Sequence, residues 1–108
     1  MHLYPLNGAV QDIDASDTAY AHRDANFAHI IAGIDSDPAN MPDHTTWVRN
    51  YWSALHPHSS GGAYVNFLMD EGEDRIRATY RDNYPRLVDA KRKWDPQNVF
   101  HVNQNIRP

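Results

Sequence analysis

Gly61-Gly62-Ala63-Tyr64-Val65-Asn66-Phe67-Leu68-Met69-Asp70 is the stretch whose reading decides the fold. Two glycines open it, and the acidic run Asp70-Glu71-Gly72-Glu73-Asp74 closes it. Between them the residues read as a strand. Side chains alternate across a strand, so Ala63, Val65, Phe67 and Met69 make an apolar face, and Tyr64, Asn66 and Leu68 share the other. A phenol and a carboxamide two residues apart on one side need an explanation. A buried carboxamide must find partners for its donors and its acceptor oxygen, and an unpaired one costs about 1–3 kcal/mol. Two explanations stand open: an edge strand whose second face is wet, or contact with a ligand. A planar ligand with polar edges, a flavin among others, suits a flat Tyr beside an amide.

Outward from that stretch, periodicity and punctuation place the other elements. His2 to Asp14 reads as strand and turn, with Asn7-Gly8 as a tight-turn signal and Ala9–Ile13 as a second short strand. Residues 18–34 are the next ordered block: Phe27, His29 and Ile31 alternate with Ala28, Ile30 and Ala32, and the cluster of Ile30, Ile31 and Ile34 favours strand over the helix that the alanines would also permit. Asp35 to Asp43 is a loop. A helix follows, capped by Asp43 or Thr45, with Trp47, Val48, Tyr51, Trp52 and Leu55 at helical spacing, and it ends before Pro57. The acidic run suits the start of a short helix over Arg75–Tyr80. Pro85 suits the first turn of a last helix, whose face is Leu87, Val88, Ala90, Lys91 and Trp94. Asp95-Pro96-Gln97-Asn98 has type I turn chemistry. The class is α+β: a small antiparallel sheet with helices packed on one face.

Composition narrows the functional classes. At 108 residues the chain is one domain, with room for one small core. Net charge is −4 with a pI near 5.9, and the one basic run, Lys91-Arg92-Lys93, sits where cations suit a helix C-terminus, so nucleic acid is not expected as a partner. There is no Cys, which excludes disulfides and thiolate chemistry. The seven histidines show no metal-ligand spacing, and no metal is expected. His22, in Thr18-Ala19-Tyr20-Ala21-His22-Arg23, is the most interesting of them, either structural or lining a pocket. No segment is long and apolar enough to span a membrane, and Met1–Pro5 does not resemble a signal peptide, so a cytoplasmic location is the default expectation. No phosphate-binding glycine loop or nucleophile elbow is present.

Several spaced motifs carry a resemblance. Tyr64-Val65-Asn66-Phe67, Tyr84-x-Arg86-Leu87, Lys91-x-Lys93-Trp94-Asp95-Pro96-x-Asn98-x-Phe100 and Gln104-x-Ile106-x-Pro108 together resemble the C-terminal berberine bridge enzyme-like segment of FAD-linked oxidases of the vanillyl-alcohol oxidase type. Asn7-Gly8-Ala9-Val10 and Thr18–Arg23 resemble the stretch just upstream in bacterial members. The resemblance implies a single C-terminal domain over 1–108, without the N-terminal FAD-binding domain that such oxidases carry. It implies hydride transfer to FAD from an alcohol, sugar or amine-bearing metabolite, with Tyr64 and Asn66 near the flavin ring. Such chemistry needs a base, and Tyr64 is the candidate by position. The Asp95-Pro96-x-Asn98-x-Phe100 motif is expected to be architectural. On this reading the chain is a segment of a longer enzyme, a truncated product or half of a split one. It would hold little FAD alone and would need an FAD-binding domain or subunit as partner. Exposed apolar surface left by that separation favours a homo-oligomer, with exchanged strands or tails. A non-catalytic oligomerisation or interaction module with the same fold is the alternative.

Overall fold

Four-residue strands β1 (His2–Pro5) and β2 (Phe27–Ile30) pair antiparallel, with His2 opposite Ile30 and Pro5 opposite Phe27. The computed structural model describes residues 1–102 and 104–108. Three helices follow the sheet: α1 (Met41–Leu55), α2 (Glu73–Tyr80) and α3 (Tyr84–Trp94). The α+β class is therefore the one expected, and the sheet has only two strands among the described residues.

Local chemistry explains the boundaries. Asn7-Gly8 does turn the chain, but into a 3-10 turn over Gly8–Val10 rather than a hairpin. The strand expected at Ala9–Ile13 is absent because Gln11 N–H donates back to Gly8 O at 2.8 Å, closing the turn on itself. β1 pairs with residues 27–30 instead, and β2 stops where β1 runs out of partners. Ile34, beyond it, is almost fully exposed.

α1 starts two residues before the expected cap. Asp37 accepts from Ala39 N–H at 2.9 Å and initiates a 3-10 turn, Pro38–Asn40, that runs directly into the helix. Thr45 and Thr46 donate back to Met41 O and Pro42 O, at 2.8 and 2.9 Å, so they sit inside the helix rather than at its cap. Asp43 lies in the first turn, where its charge suits the helix dipole. α2 likewise opens on Glu73 and Asp74, and α3 opens with Pro85 in its first turn and closes on Lys91, Arg92 and Lys93.

The turn after α3 is held by one carboxylate. Asp95 Oδ1 accepts from Val99 N–H at 2.7 Å, and Oδ2 from Phe100 N–H at 3.0 Å. Lys91 Nζ donates to Asp95 Oδ2 and to the Phe100 carbonyl. Asn98 N–H closes the turn on Asp95 O at 3.0 Å, with Asn98 at φ 53°. The motif ties the end of α3 to the segment after it.

The core is thin. Ala21, Leu68 and Tyr84 are the buried apolar residues, and His22, Thr79 and Asn83 are buried beside them. Asn83 Nδ2 donates to Ala15 O and Thr18 O, at 2.7 and 2.9 Å, stitching α3's start to the N-terminal third. Accessible surface is 8000 Å², against about 6,100 Å² for a folded monomer of this mass. The radius of gyration is 16.1 Å, against about 13 Å for a compact chain of this length. Apolar side chains make much of the surplus: Met69, Trp94, Phe100 and Val102 are each more than three-quarters exposed.

Candidate functional site

Tyr64 and Asn66 meet, although not on a strand. Val65–Phe67 forms a 3-10 turn, closed by Phe67 N–H to Tyr64 O at 2.9 Å and Leu68 N–H to Val65 O at 3.2 Å. The strand expected over 61–70 is corrected on this point: the segment satisfies its backbone within itself and pairs with no strand among the described residues. The expected apolar face is corrected with it. Leu68 points inward, while Phe67 and Met69 are exposed. The two side chains still meet, but the turn brings them together and strand alternation does not. Asn66 Nδ2 donates to the Tyr64 phenol oxygen at 2.8 Å. Both residues are exposed, Tyr64 by 43%. The phenol keeps its own O–H to donate, and the carboxamide oxygen remains an acceptor.

Aromatic rings surround the pair. Phe67 meets Tyr64 edge-on with centroids 5.0 Å apart, and Tyr20 meets it edge-on at 6.2 Å. Tyr4, on β1, lies 6.4 Å from Phe67. Such edge-to-face pairs contribute about 0.5–1.5 kcal/mol each beyond their buried area. The Tyr20 hydroxyl is pushed up in pKa by burial, opposed by the nearby Arg23 and Arg81 and reinforced by Asp24. Arg23 covers the other side of the Tyr20 ring, 4.9 Å from its centroid.

Three contacts fix the turn to the rest of the chain. Arg75 Nη1 donates to Gly61 O at 2.8 Å, ahead of the turn. Gln104 Nε2 donates to Leu68 O at 2.7 Å and Met69 O at 3.1 Å, behind it. Gly62 rests on the His22 ring so closely that a Cβ there would lie 1.8 Å from Cε1. Tyr4, Tyr20 and Arg75 were not singled out by sequence reasoning. Tyr20 adjoins His22 in a quoted motif, but nothing in its spacing announces contact with Tyr64, 44 positions away. Gln104 belongs to a motif whose role only the fold displays.

His22 lines neither of the two most prominent cavities. It is 4% exposed, and neither ring nitrogen completes a hydrogen bond among the described residues. Burial pushes its pKa down, Arg81 pushes the same way, and the Thr79 and Ala78 carbonyls and Asp24 oppose them. No group of three or more His, Asp or Glu side chains gathers among the described residues to hold a metal ion. A cleft of about 330 Å³ lies elsewhere, between α2, α3 and the last residues, with Arg77, Arg92 and Arg107 on its walls. Two of those guanidinium groups are engaged, Arg77 with Glu73 at 2.7 Å and Arg92 with Asp89 at 3.5 Å. Tyr64 and Asn66 therefore form one open wall rather than a closed pocket.

The fold and this wall define an α+β segment that presents a hydrogen-bonded phenol–carboxamide pair, framed by aromatic rings, to its surroundings. Residues 63–107, which contain the pair, match the family described as "Berberine and berberine like". The chain is 33% identical to Berberine bridge enzyme-like C-1 of Nicotiana tabacum, over 96% of this chain and 24% of that protein. It is 28% identical to the aclacinomycin-N/aclacinomycin-A oxidase of Streptomyces galilaeus, over 98% and 23%, and 30% identical to the tetrahydroberberine oxidase of Berberis wilsoniae, over 96% and 23%. Residues 63–107 belong to the berberine bridge enzyme-like family, and the similarity to the relatives named runs over nearly the whole chain. It spans about a quarter of the length of the curated relatives it matches. No helix among the described residues is long and apolar enough to cross a membrane.

Proposed function

We propose that this chain is a C-terminal domain of an FAD-dependent oxidoreductase, supplying one wall of the cavity in which a substrate meets the flavin. The observation that carries this reading is the outward-facing pair: Asn66 bonded to the Tyr64 oxygen at 2.8 Å, both exposed. Relatives named as FAD-linked oxidoreductases, from Bacillus subtilis and Dictyostelium discoideum among others, support the cofactor. The donor set fits one part of FAD. A phenol and an amide flanked by ring edges suit the rim of a flat heterocycle, and no glycine-rich phosphate cradle stands beside them. FAD, when held by a partner domain or subunit, would supply the hydride acceptor for an alcohol, sugar or amine-type metabolite.

Within that setting the residues have distinct jobs. Tyr64, once its own phenol proton has passed to solvent, takes the proton of the substrate hydroxyl or amine at its oxygen, toward which the Asn66 amide N–H donates. Asn66 holds that oxygen in place through its amide N–H and is positioned to bond the ring edge with its carbonyl. Tyr20 and Phe67, each edge-on to the Tyr64 ring, limit its orientation. The test is the reductive half-reaction of the assembled flavoprotein. Tyr64→Phe should slow flavin reduction by about 10²–10⁴-fold without releasing FAD. Unchanged reduction in that variant would remove Tyr64 from the chemistry.

The surplus surface supports a second reading, a non-catalytic oligomerisation or interaction module. The excess of about 1,900 Å² over the expected area exceeds the about 800 Å² that each partner contributes to a standard interface. A homo-oligomer would cover it as well as an FAD-binding domain would. Titration with FAD, with and without a separately expressed FAD-binding domain, separates the two: flavin capture only in the mixture supports the oxidoreductase.

A further inference from the structure

Of the buried titratable groups, His22 is the one that the proposed chemistry does not use and that the core does not satisfy. Its ring is enclosed, its two nitrogens find no partner among the described residues, and the Gly62 backbone lies on its Cε1–Nε2 edge, where a Cβ would stand 1.8 and 1.9 Å from those atoms. Gly62 is two residues from Tyr64, and Tyr20, whose ring is 6.2 Å from that of His22, is the same distance from Tyr64. His22 therefore touches the Tyr64–Asn66 turn by two routes, through the backbone at Gly62 and through the Tyr20 ring. We infer that His22 is a positioning residue for the Tyr64–Asn66 pair: its neutral, unbonded ring is the platform on which the 62–67 turn rests, and adding a proton to it displaces the turn. This rests on the reading of Tyr64 and Asn66 as the ligand-facing pair.

The surroundings set the sign. On its own segment His22 faces Asp24, which favours a proton, and Tyr20 with Arg23 over its far side. From α2 the Ala78 and Thr79 carbonyls also favour a proton, and Arg81, just past the helix, opposes it. Arg81 is drawn toward Asp24 by an ion pair of 3.0 Å, so that acid is shared. From the turn itself comes the Gly62 backbone, and Arg75 is held beside it at Gly61 O. Burial decides against the cation. A protonated ring must turn both N–H groups toward the Ala78–Thr79 carbonyls or toward water, and either motion withdraws the edge that supports Gly62.

The experiment follows the ring signals of the chain by NMR from pH 8 to pH 5, with His and Tyr side chains ¹³C-labelled and Tyr64 assigned from the Tyr64→Phe spectrum. His22 should titrate below the ordinary histidine value, and Tyr64 should move with the same midpoint. His22→Phe should abolish the Tyr64 response. Gly62→Ala should displace the Tyr64 signal at neutral pH, and Gly62→Ala with His22→Ala should return it toward wild type, because the ring that clashes is gone. A Tyr64 signal that stays fixed while His22 titrates, or that still moves in His22→Phe, overturns the inference. In the assembled flavoprotein the same protonation should lower kcat by about tenfold to a hundredfold with KM unchanged. If the NMR coupling is present but Tyr64→Phe leaves flavin reduction intact, the His22 platform stands and the catalytic reading of Tyr64 fails.

Discussion

At the scale of single residues, this chain spends its buried polar groups on holding loops rather than on chemistry. Asn83 shows it best. Its amide donates twice, to carbonyls more than 60 positions away, and is 8% exposed. Asn83→Leu should destabilise the chain by about 1–3 kcal/mol, because the Ala15 and Thr18 carbonyls lose their partners; chemical denaturation measures it. Arg86 adds a bond to Ser16 O at 2.7 Å. Both flank Tyr84, one motif of the resemblance, so the motif is read here as a fastening between α3 and the N-terminal third. Tyr64 and Asn66 differ because they bond to each other and face outward. The sequence singled out Tyr64 and Asn66 through strand alternation, which does not operate here, because the segment is a turn. That turn was not legible in the sequence, because an apolar run of this length is the same string whether or not a neighbouring strand exists to pair with it.

At the scale of elements, several carboxylates with lowered pKa values set the acid side of the pH dependence, Asp35 and Asp95 among them. Asp35 accepts from Asp37 N–H at 2.8 Å, from His44 Nε2 at 3.0 Å and from Asn40 Nδ2 at 3.0 Å, and its pKa falls to about 2, with the Asp37 bond as the largest cause. Asp95, bonded by Lys91 and two backbone N–H groups, is also lowered. A carboxylate with a depressed folded pKa contributes stability above its unfolded value, near 3.9, and loses it as pH falls toward the folded one. Thermal stability should therefore fall between about pH 4 and pH 2, and Asp35→Asn should flatten that slope. His22 acts at higher pH. With its folded pKa below the ordinary 6.5, the unfolded chain binds the proton more readily, so stability should fall as pH drops below about 6.5. His22→Phe should remove that step from the same melting curves. Asp95→Asn should loosen the segment after α3, seen as faster amide exchange at Val99 and Phe100, whose N–H groups it holds.

At the scale of the whole molecule, the surface is too large and too apolar for a chain that stands alone. α1 has no buried residue despite its stripe of Trp47, Val48, Tyr51, Trp52 and Leu55, and β1 is exposed along its length. Contiguous patches of this kind seek partners. In isolation the chain should bind a hydrophobic dye and sediment as a concentration-dependent oligomer. With an FAD-binding domain present it should do neither. A monomer that ignores the dye would count against any missing cover.

The sequence by itself determined the helices, the class and the family, because these follow from short-range spacing: apolar residues three and four apart, Pro85 in a first turn, Asp95 ahead of Pro96, and an ordered set of motifs over residues 63–107. It did not determine which apolar runs become strands. A strand is defined by a partner, and among the described residues only β1 and residues 27–30 find each other, leaving 9–13 and 61–70 to turn on their own hydrogen bonds. Nor did it reveal what stands against Tyr64. Tyr4, Tyr20, His22, Arg75 and Gln104 converge on that turn from across the chain, and contacts between residues so far apart in sequence are fixed by packing, which no local pattern encodes.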